Sequence, residues 1–153
     1  LRQVCTGLNP ERILGAALAN GVSRYALDRA AEYANQREVW GVPIGSHQGL
    51  AHPLAEAFVQ VELARQMTSV AAREYDEGEN AAMASNVAKL AAADAAMLSV
   101  DRAMQAHGGN GFAEEYGIAE FWSLARFLKT APVSREMVLN FVAERGLGLP
   151  RSY

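Results

Sequence analysis

The residues best suited to ligand chemistry lie in a glycine-rich segment, Gln105–Phe112, with the sequence Gln-Ala-His-Gly-Gly-Asn-Gly-Phe. Glycine has no Cβ, so the backbone can turn sharply here and a ligand can lie directly against it. The segment follows a helical pattern, whereas a Rossmann phosphate loop follows a strand, so it does not by itself predict a nucleotide-binding fold. The residues alone leave two interpretations open, a helix stop and a ligand-binding turn.

A second segment, Arg37–Ile44, places a cation, an aromatic ring and a Gly-Val-Pro turn after the first helical pattern, with Gln48 shortly beyond. The guanidinium of Arg37 can pair with phosphate oxygens. It is equally compatible with a solvated arginine at the C-terminus of a helix, where the dipole favours a cation. Trp40 can pack on a ligand or on the protein itself.

Taken together, the two segments resemble the C-terminal helical domain of the acyl-CoA dehydrogenase flavoprotein family. The marks of that domain are an Arg-x-x-aromatic-Gly-x-Pro-Ile loop, then a Gln, then a distant Gln-x-x-Gly-Gly-x-Gly-aromatic. The resemblance runs from about Leu8 to Tyr153. It implies bound FAD and an acyl-CoA substrate that loses an α-proton and a β-hydride. The residues that it assigns to FAD are Arg37, Trp40, Gln48, Gln105, Gly108 and Gly109.

The resemblance also implies partners. Electron-transfer flavoprotein or a similar acceptor is expected to reoxidise the flavin. In this family the FAD-binding groups reach across a subunit interface, so a homodimer or homotetramer is expected. A helical domain and a β-domain lie upstream in the family and are absent from this chain, so the 153 residues alone are expected to be inactive.

The catalytic base is the least conventional part of the resemblance. Many members carry it in a Glu-Gly-Thr segment before the last helix, but that position is Pro132 here, which cannot transfer a proton. Other members place the base at the start of the first helix, in a Leu-Asp-x-Glu-Arg-like segment. By this match Glu11 is the base and Arg12 orients the site or the substrate. On residues alone, Glu11 is a helix-start acid, and Glu136 is the rival carboxylate.

Composition narrows the possible functions. The chain has 153 residues, a net charge of −3 and no long basic block, so one domain (1–153) is expected and a nucleic-acid surface is not. Cys5 is the only cysteine, and no apolar run reaches the roughly 18 residues of a membrane span. No Glu-x-x-His pair is present, so no metal site is expected. We expect the protein to be located in the bacterial cytoplasm, or in the mitochondrial matrix if a targeting sequence lies upstream.

Hydrophobic periodicity predicts an all-α antiparallel four-helix bundle with a short additional C-terminal helix, and no strand. Asn9 is expected to cap the first helix and Ser134 the last. In the first helix, the expected core stripe includes Leu14 and Leu18. The expected helices cover residues 9–36, 46–77, about 81–106, 118–128 and about 135–145.

One departure from the family pattern supports other interpretations. Many members have an Arg-Asp pair in the fourth helix, where this chain has Ser123 and Leu124. The chain would then be a non-catalytic helical assembly subunit or a fragment. A related flavin oxidase, such as an acyl-CoA oxidase or a nitroalkane oxidase, would share the same domain.

Overall fold

The computed structural model describes residues 7–151, and α-helices dominate them. The prediction of an all-α bundle is confirmed, and each expected helix is present. Cys5 lies outside the described residues. The helices are α1 (Asn9–Gln36), α2 (Gln48–Asp76), α3 (Ala82–His107), α4 (Ala119–Leu128) and α5 (Arg135–Gly146). Short 3-10 turns cover Ile44–Ser46, Gly108–Phe112 and Glu114–Tyr116.

The first four helices alternate in direction, so that α1 and α3 run parallel. Near their starts, Ser85 of α3 donates a hydrogen bond to Asn9 of α1. Near their ends, Asn110 after α3 donates to Tyr33 of α1. The bundle therefore has two distinct ends, one holding the starts of α1 and α3 and the other holding their C-termini.

A two-stranded hairpin between α1 and α2 was not expected from the sequence. Strands β1 (Glu38–Val39) and β2 (Val42–Pro43) pair antiparallel across a two-residue turn. Both turn residues have positive φ, 57° at Trp40 and 80° at Gly41, as a type I′ turn requires. The helix break at this place was predicted, but a two-residue pairing is too short to produce an alternating pattern.

The caps are partly as expected. Ser134 caps α5 by accepting a hydrogen bond from the Met137 backbone N–H at 3.3 Å. Asn9, expected to cap α1, is instead inside the helix, and Leu8 occupies the cap position without a side-chain bond. The Asn9 side chain is buried and points into the bundle, where polar partners are available.

The core consists mainly of alanine, which corrects the expected stripe of α1. Leu14 is 69% exposed and Leu18 is 50% exposed, whereas Ala16, Ala19 and Ala30 are fully buried. Alanine lets helix backbones approach closely, and leucine at these contacts would hold them apart. The larger side chains therefore lie on outer faces. Within residues 7–151 no helix is both long and apolar enough to cross a membrane.

Candidate functional site

The predicted site residues fall at opposite ends of the bundle. The loop end comprises residues 37–48 and 105–117. The Glu11 end comprises residues 9–15, 85–94 and 129–136. The 28 residues of α1 connect them and span about 42 Å at 1.5 Å per residue.

At the loop end, the hairpin presents Arg37 and Trp40 to the outside. The backbone of Arg37 is fixed on both sides, because its N–H donates to the Tyr33 carbonyl and its carbonyl accepts from Ile44. The Arg37 side chain is exposed and forms no ion pair with the described residues. Trp40 is 89% exposed, with its ring edge-on to His47 at 5.8 Å between centroids. A positive φ at a non-glycine residue costs backbone free energy, and such strained residues cluster at functional sites.

Gln48, the third predicted residue of this group, is the first residue of α2 and is exposed. It follows His47 directly, so it lies close to the edge of the hairpin. Because Trp40 contacts His47, the exposed residues Trp40 and Gln48 both belong to the connection between α1 and α2.

The glycine-rich segment forms the second surface of the loop end. Gly108 has φ 58°, and its N–H donates to the Gln105 carbonyl to end α3. A Cβ built on Gly108 or Gly109 meets nothing within 4 Å, so the backbone there faces open space. Beside it lies an open groove of about 420 Å³. The groove is lined by Asp101, Met104, Gln105, Gly108, Phe112 and Trp122.

Gly111 has a different role in the same segment. A Cβ on it would lie 2.9 Å from the Met104 carbonyl oxygen and 3.1 Å from the Met104 Cα. The loop therefore folds back on α3 only because this residue is glycine. The motif thus contains both a packing glycine and two glycines that face solvent.

An aromatic cluster supports this loop, and sequence reasoning missed it. His107 is buried, its Nδ1 lies 2.8 Å from the Ala103 carbonyl, and its ring stacks on Tyr33 at 4.3 Å. The Asn110 amide donates to the hydroxyls of Tyr33 and Tyr116, at 3.0 and 3.1 Å. The cluster ties the glycine loop to the last turns of α1, next to Arg37.

At the Glu11 end, Glu11 and Arg12 point in different directions. Glu11 is exposed in the first turn of α1, whereas Arg12 is 6% exposed. The Arg12 guanidinium donates to the Asn9 Oδ1 at 3.0 Å, and the same oxygen accepts from Ser85 at 3.2 Å. This burial favours an orienting role for Arg12 over direct contact with a substrate.

The two positions at which the family pattern places a base are neighbours in space. A Cβ on Gly15 would lie 3.6 Å from the Pro132 Cδ, and Gly15 is one helical turn past Glu11 on the same face of α1. Pro132 therefore lies near the face of α1 that also carries Glu11. Glu136 lies in the first turn of α5 and is exposed.

A buried lysine in this region was also missed. Lys89 is 2% exposed, and its ammonium donates to the carbonyls of Lys129 and Val133, at 3.2 and 2.6 Å. Burial lowers the pKa of Lys89, while the nearby Asp94 carboxylate acts in the opposite direction. Asp94 also pairs with Lys129 Nζ at 2.8 Å and with Arg135. A charged residue inside an alanine-rich helix was the available signal.

The positions of the expected Arg-Asp pair have ordinary surroundings. Ser123 is exposed on α4, and Leu124 is half-buried and packs on the core. Among the described residues, no group of three or more His, Cys, Asp or Glu side chains is arranged to hold a metal ion.

Comparison with known proteins identifies the family of this chain. Residues 1–147 match the family described as acyl-CoA dehydrogenase, C-terminal domain. Acyl-CoA dehydrogenase FadE12 of Mycobacterium tuberculosis is 57% identical over 155 residues, covering all of this chain and 40% of the relative. The chain belongs to the acyl-CoA dehydrogenase family.

Solved structures extend the similarity to three dimensions. Butyryl-CoA dehydrogenase from Megasphaera elsdenii superposes with a TM-score of 0.90 at 32% identity, covering 95% of this chain and 38% of that one. A glutaryl-coenzyme A dehydrogenase in complex with glutaryl-CoA gives 0.90 at 31% identity, covering 99% and 38%. The chain therefore spans about two fifths of the length of these relatives.

Proposed function

We propose that this chain is the C-terminal helical bundle of an FAD-dependent acyl-CoA dehydrogenase, which introduces a double bond between the α- and β-carbons of an acyl-CoA thioester. The observation that carries the proposal is the exposed loop end of a chain that belongs to this family. The Arg37 side chain, the Trp40 ring and the open backbone at Gly108 and Gly109 face outwards there.

The residues of the loop end fit FAD chemically. Arg37 is an exposed cation suited to the diphosphate, since a guanidinium forms charge-assisted hydrogen bonds to phosphate oxygens. Trp40 offers an apolar ring, and Gln48 and Gln105 offer amide donors and acceptors. The open backbone at Gly108 and Gly109 allows close approach of the adenosine part. Bound FAD supplies the acceptor for the hydride that leaves the β-carbon.

Removal of the α-proton is the chemical step that this chain contributes. Glu11 takes the α-proton of the thioester as general base; its side chain is exposed one helical turn before Gly15, the residue of α1 that lies near Pro132. Leu14 follows Glu11 three residues later with 69% exposure, which places apolar surface next to the carboxylate. The hydrogen bond from Arg12 to Asn9 stabilises the first turn of α1 and so fixes the orientation of Glu11.

The separation of the two ends supports an oligomer. One FAD molecule is too short to reach from Arg37 to Glu11 along the 28-residue helix α1. In a dimer or tetramer, the loop end of one subunit binds the cofactor that serves the Glu11 end of another. Electron-transfer flavoprotein or a similar acceptor would be the electron-accepting partner of the intact enzyme. The bacterial source of the FadE12 relative supports a cytoplasmic location.

The test uses the intact protein that contains this bundle. Purified protein should show flavin absorbance, and it should reduce a dye in the presence of acyl-CoA thioesters. Sedimentation should give a dimer or larger assembly. Flavin-free protein without turnover would contradict the proposal and would favour an assembly subunit, the alternative that Ser123 and Leu124 support. Turnover with oxygen as the efficient acceptor would instead identify a flavin oxidase.

A further inference from the structure

The ammonium of the buried Lys89 side chain requires hydrogen-bond acceptors. Both of its observed acceptors belong to one loop. The ammonium donates to the carbonyls of Lys129 and Val133, which flank Pro132 on either side. The Lys129 carbonyl also accepts from the Arg135 backbone N–H at 3.2 Å. The loop between α4 and α5 is thus fastened to α3 at both of its ends.

The middle of the same loop lies close to α1. Pro132 Cδ lies 3.6 Å from the place of a Cβ on Gly15, one helical turn from Glu11. A displacement of this loop would therefore change the surroundings of the α1 face that carries Gly15 and Glu11. Lys89 itself is 2% exposed and lies on a different helix, so it does not touch a substrate.

From this arrangement, which rests on the proposed function, we infer that Lys89 is a positioning residue for proton abstraction. Its ammonium holds the 129–133 loop against α1, so that Pro132 and Glu11 keep a constant separation around the acyl α-carbon. Hydrogen bonds from a charged donor are stronger than those from a neutral donor. If they break, the buried ammonium is left without acceptors, which costs its full desolvation free energy. The two hydrogen bonds from Lys89 therefore hold the loop rigidly. Such rigidity is required where a base must be aligned with a weakly acidic C–H bond.

The experiment is the Lys89→Met variant of the intact enzyme, which keeps most of the length of the side chain but removes the ammonium and both of its hydrogen bonds. We expect kcat to fall about 10- to 100-fold, since misplacement of about 1 Å can cost that much. The KM for the thioester and the flavin content should stay close to wild type, because neither depends on the loop. Hydrogen exchange at the backbone amides of residues 130–135 should become faster.

The matched control is Arg126→Met, which removes a positive charge from an exposed position in the last turn of α4, just before the loop. Its kcat should stay within about twofold of wild type, a much smaller loss than misplacement of a reacting group causes. Equal losses in both variants would overturn the inference, because the effect would then come from charge alone. So would unchanged kcat and unchanged loop exchange in Lys89→Met.

A second variant covers the case in which Lys89→Met does not fold. Pro132→Gly removes the exposed proline ring that lies near Gly15 and should lower kcat in the same way, again at constant KM. Wild-type kcat in Pro132→Gly would overturn the inference. Failure of the proposed function is separately visible, since the wild-type protein would then lack flavin and turnover, while loop exchange would still report whether Lys89 holds the loop.

Discussion

The two ends of the bundle differ in how their polar side chains are satisfied. At the loop end, Arg37 and Trp40 are exposed and have little support from their own chain. At the Glu11 end, Arg12 and Lys89 are buried, and each is hydrogen-bonded inside the bundle. The loop end presents exposed groups suited to a partner, whereas the Glu11 end is hydrogen-bonded internally and carries the exposed carboxylates of Glu11 and Glu136.

The comparison separates binding from chemistry. Changes at the loop end should affect retention of FAD and leave the bundle intact. Changes at the Glu11 end should affect turnover and leave the flavin in place. The following predictions, in order of decreasing effect, test this division.

The largest effect is expected at Glu11. Glu11→Gln keeps the size of the side chain and removes the base, so kcat of the intact enzyme should fall by at least about 10²-fold. Flavin absorbance and the melting temperature should not change. Glu136→Gln is the control, since this carboxylate is also exposed in a first helical turn. Near-normal kcat in Glu11→Gln together with loss in Glu136→Gln would assign the base to Glu136.

Arg37 should dominate the effects at the loop end. Arg37→Met removes charge-assisted bonds worth about 1.5–3 kcal/mol, so the Kd for FAD should rise about 10- to 100-fold. Fluorescence titration of the apoprotein with FAD measures this change. Arg73→Met is the matched control, because Arg73 is an exposed arginine in the last turn of α2, at the opposite end of the bundle. Equal losses in both variants would refute the assignment of Arg37 to the cofactor.

Two glycines of one motif should respond in opposite ways. Gly111→Ala places a Cβ 2.9 Å from the Met104 carbonyl oxygen, and such overpacking costs about 1–3 kcal/mol of unfolding free energy. Gly109→Ala meets nothing within 4 Å, so it should leave stability nearly unchanged and weaken FAD binding. Urea unfolding and FAD titration of both variants give the comparison. A destabilised Gly109→Ala protein would mean that Gly109 also serves packing.

The smallest effect is a dependence of stability on pH at Lys89. Burial lowers the pKa of Lys89; Arg12 and Arg135 add to the decrease, and Asp94 and Glu136 oppose it. Between this lowered pKa and the unfolded value of about 10.4, the unfolded chain binds more protons, so stability rises with pH.

The measurement for this prediction is urea unfolding of wild type and Lys89→Met at several alkaline pH values. The difference in unfolding free energy should shift in favour of the wild type as the pH rises towards about 10.4. A difference that is constant with pH would show that the folded and unfolded proteins bind the Lys89 proton equally well.

Local patterns in the sequence were sufficient for much of this description. Helical periodicity, Pro10 near the start of α1 and Ser134 as a cap act within one or two turns of chain, so the helices were predicted closely. The exposed positions of Arg37 and Trp40 also follow from a local break, and the family motif identified both. The assignment of these residues and of Glu11 to FAD and to proton transfer stays a prediction.

Contacts between distant residues were decided only in three dimensions. The leucines of α1 point outwards because alanines allow the helices to pack closely, a choice made by all the helices jointly. The bonds from Lys89 to the 129–133 loop join residues about 40 positions apart. Such pairs depend on the directions of whole helices, and no local pattern of residue types encodes those directions. The sequence therefore determined which groups are available for chemistry, and the tertiary structure determined which of them act together.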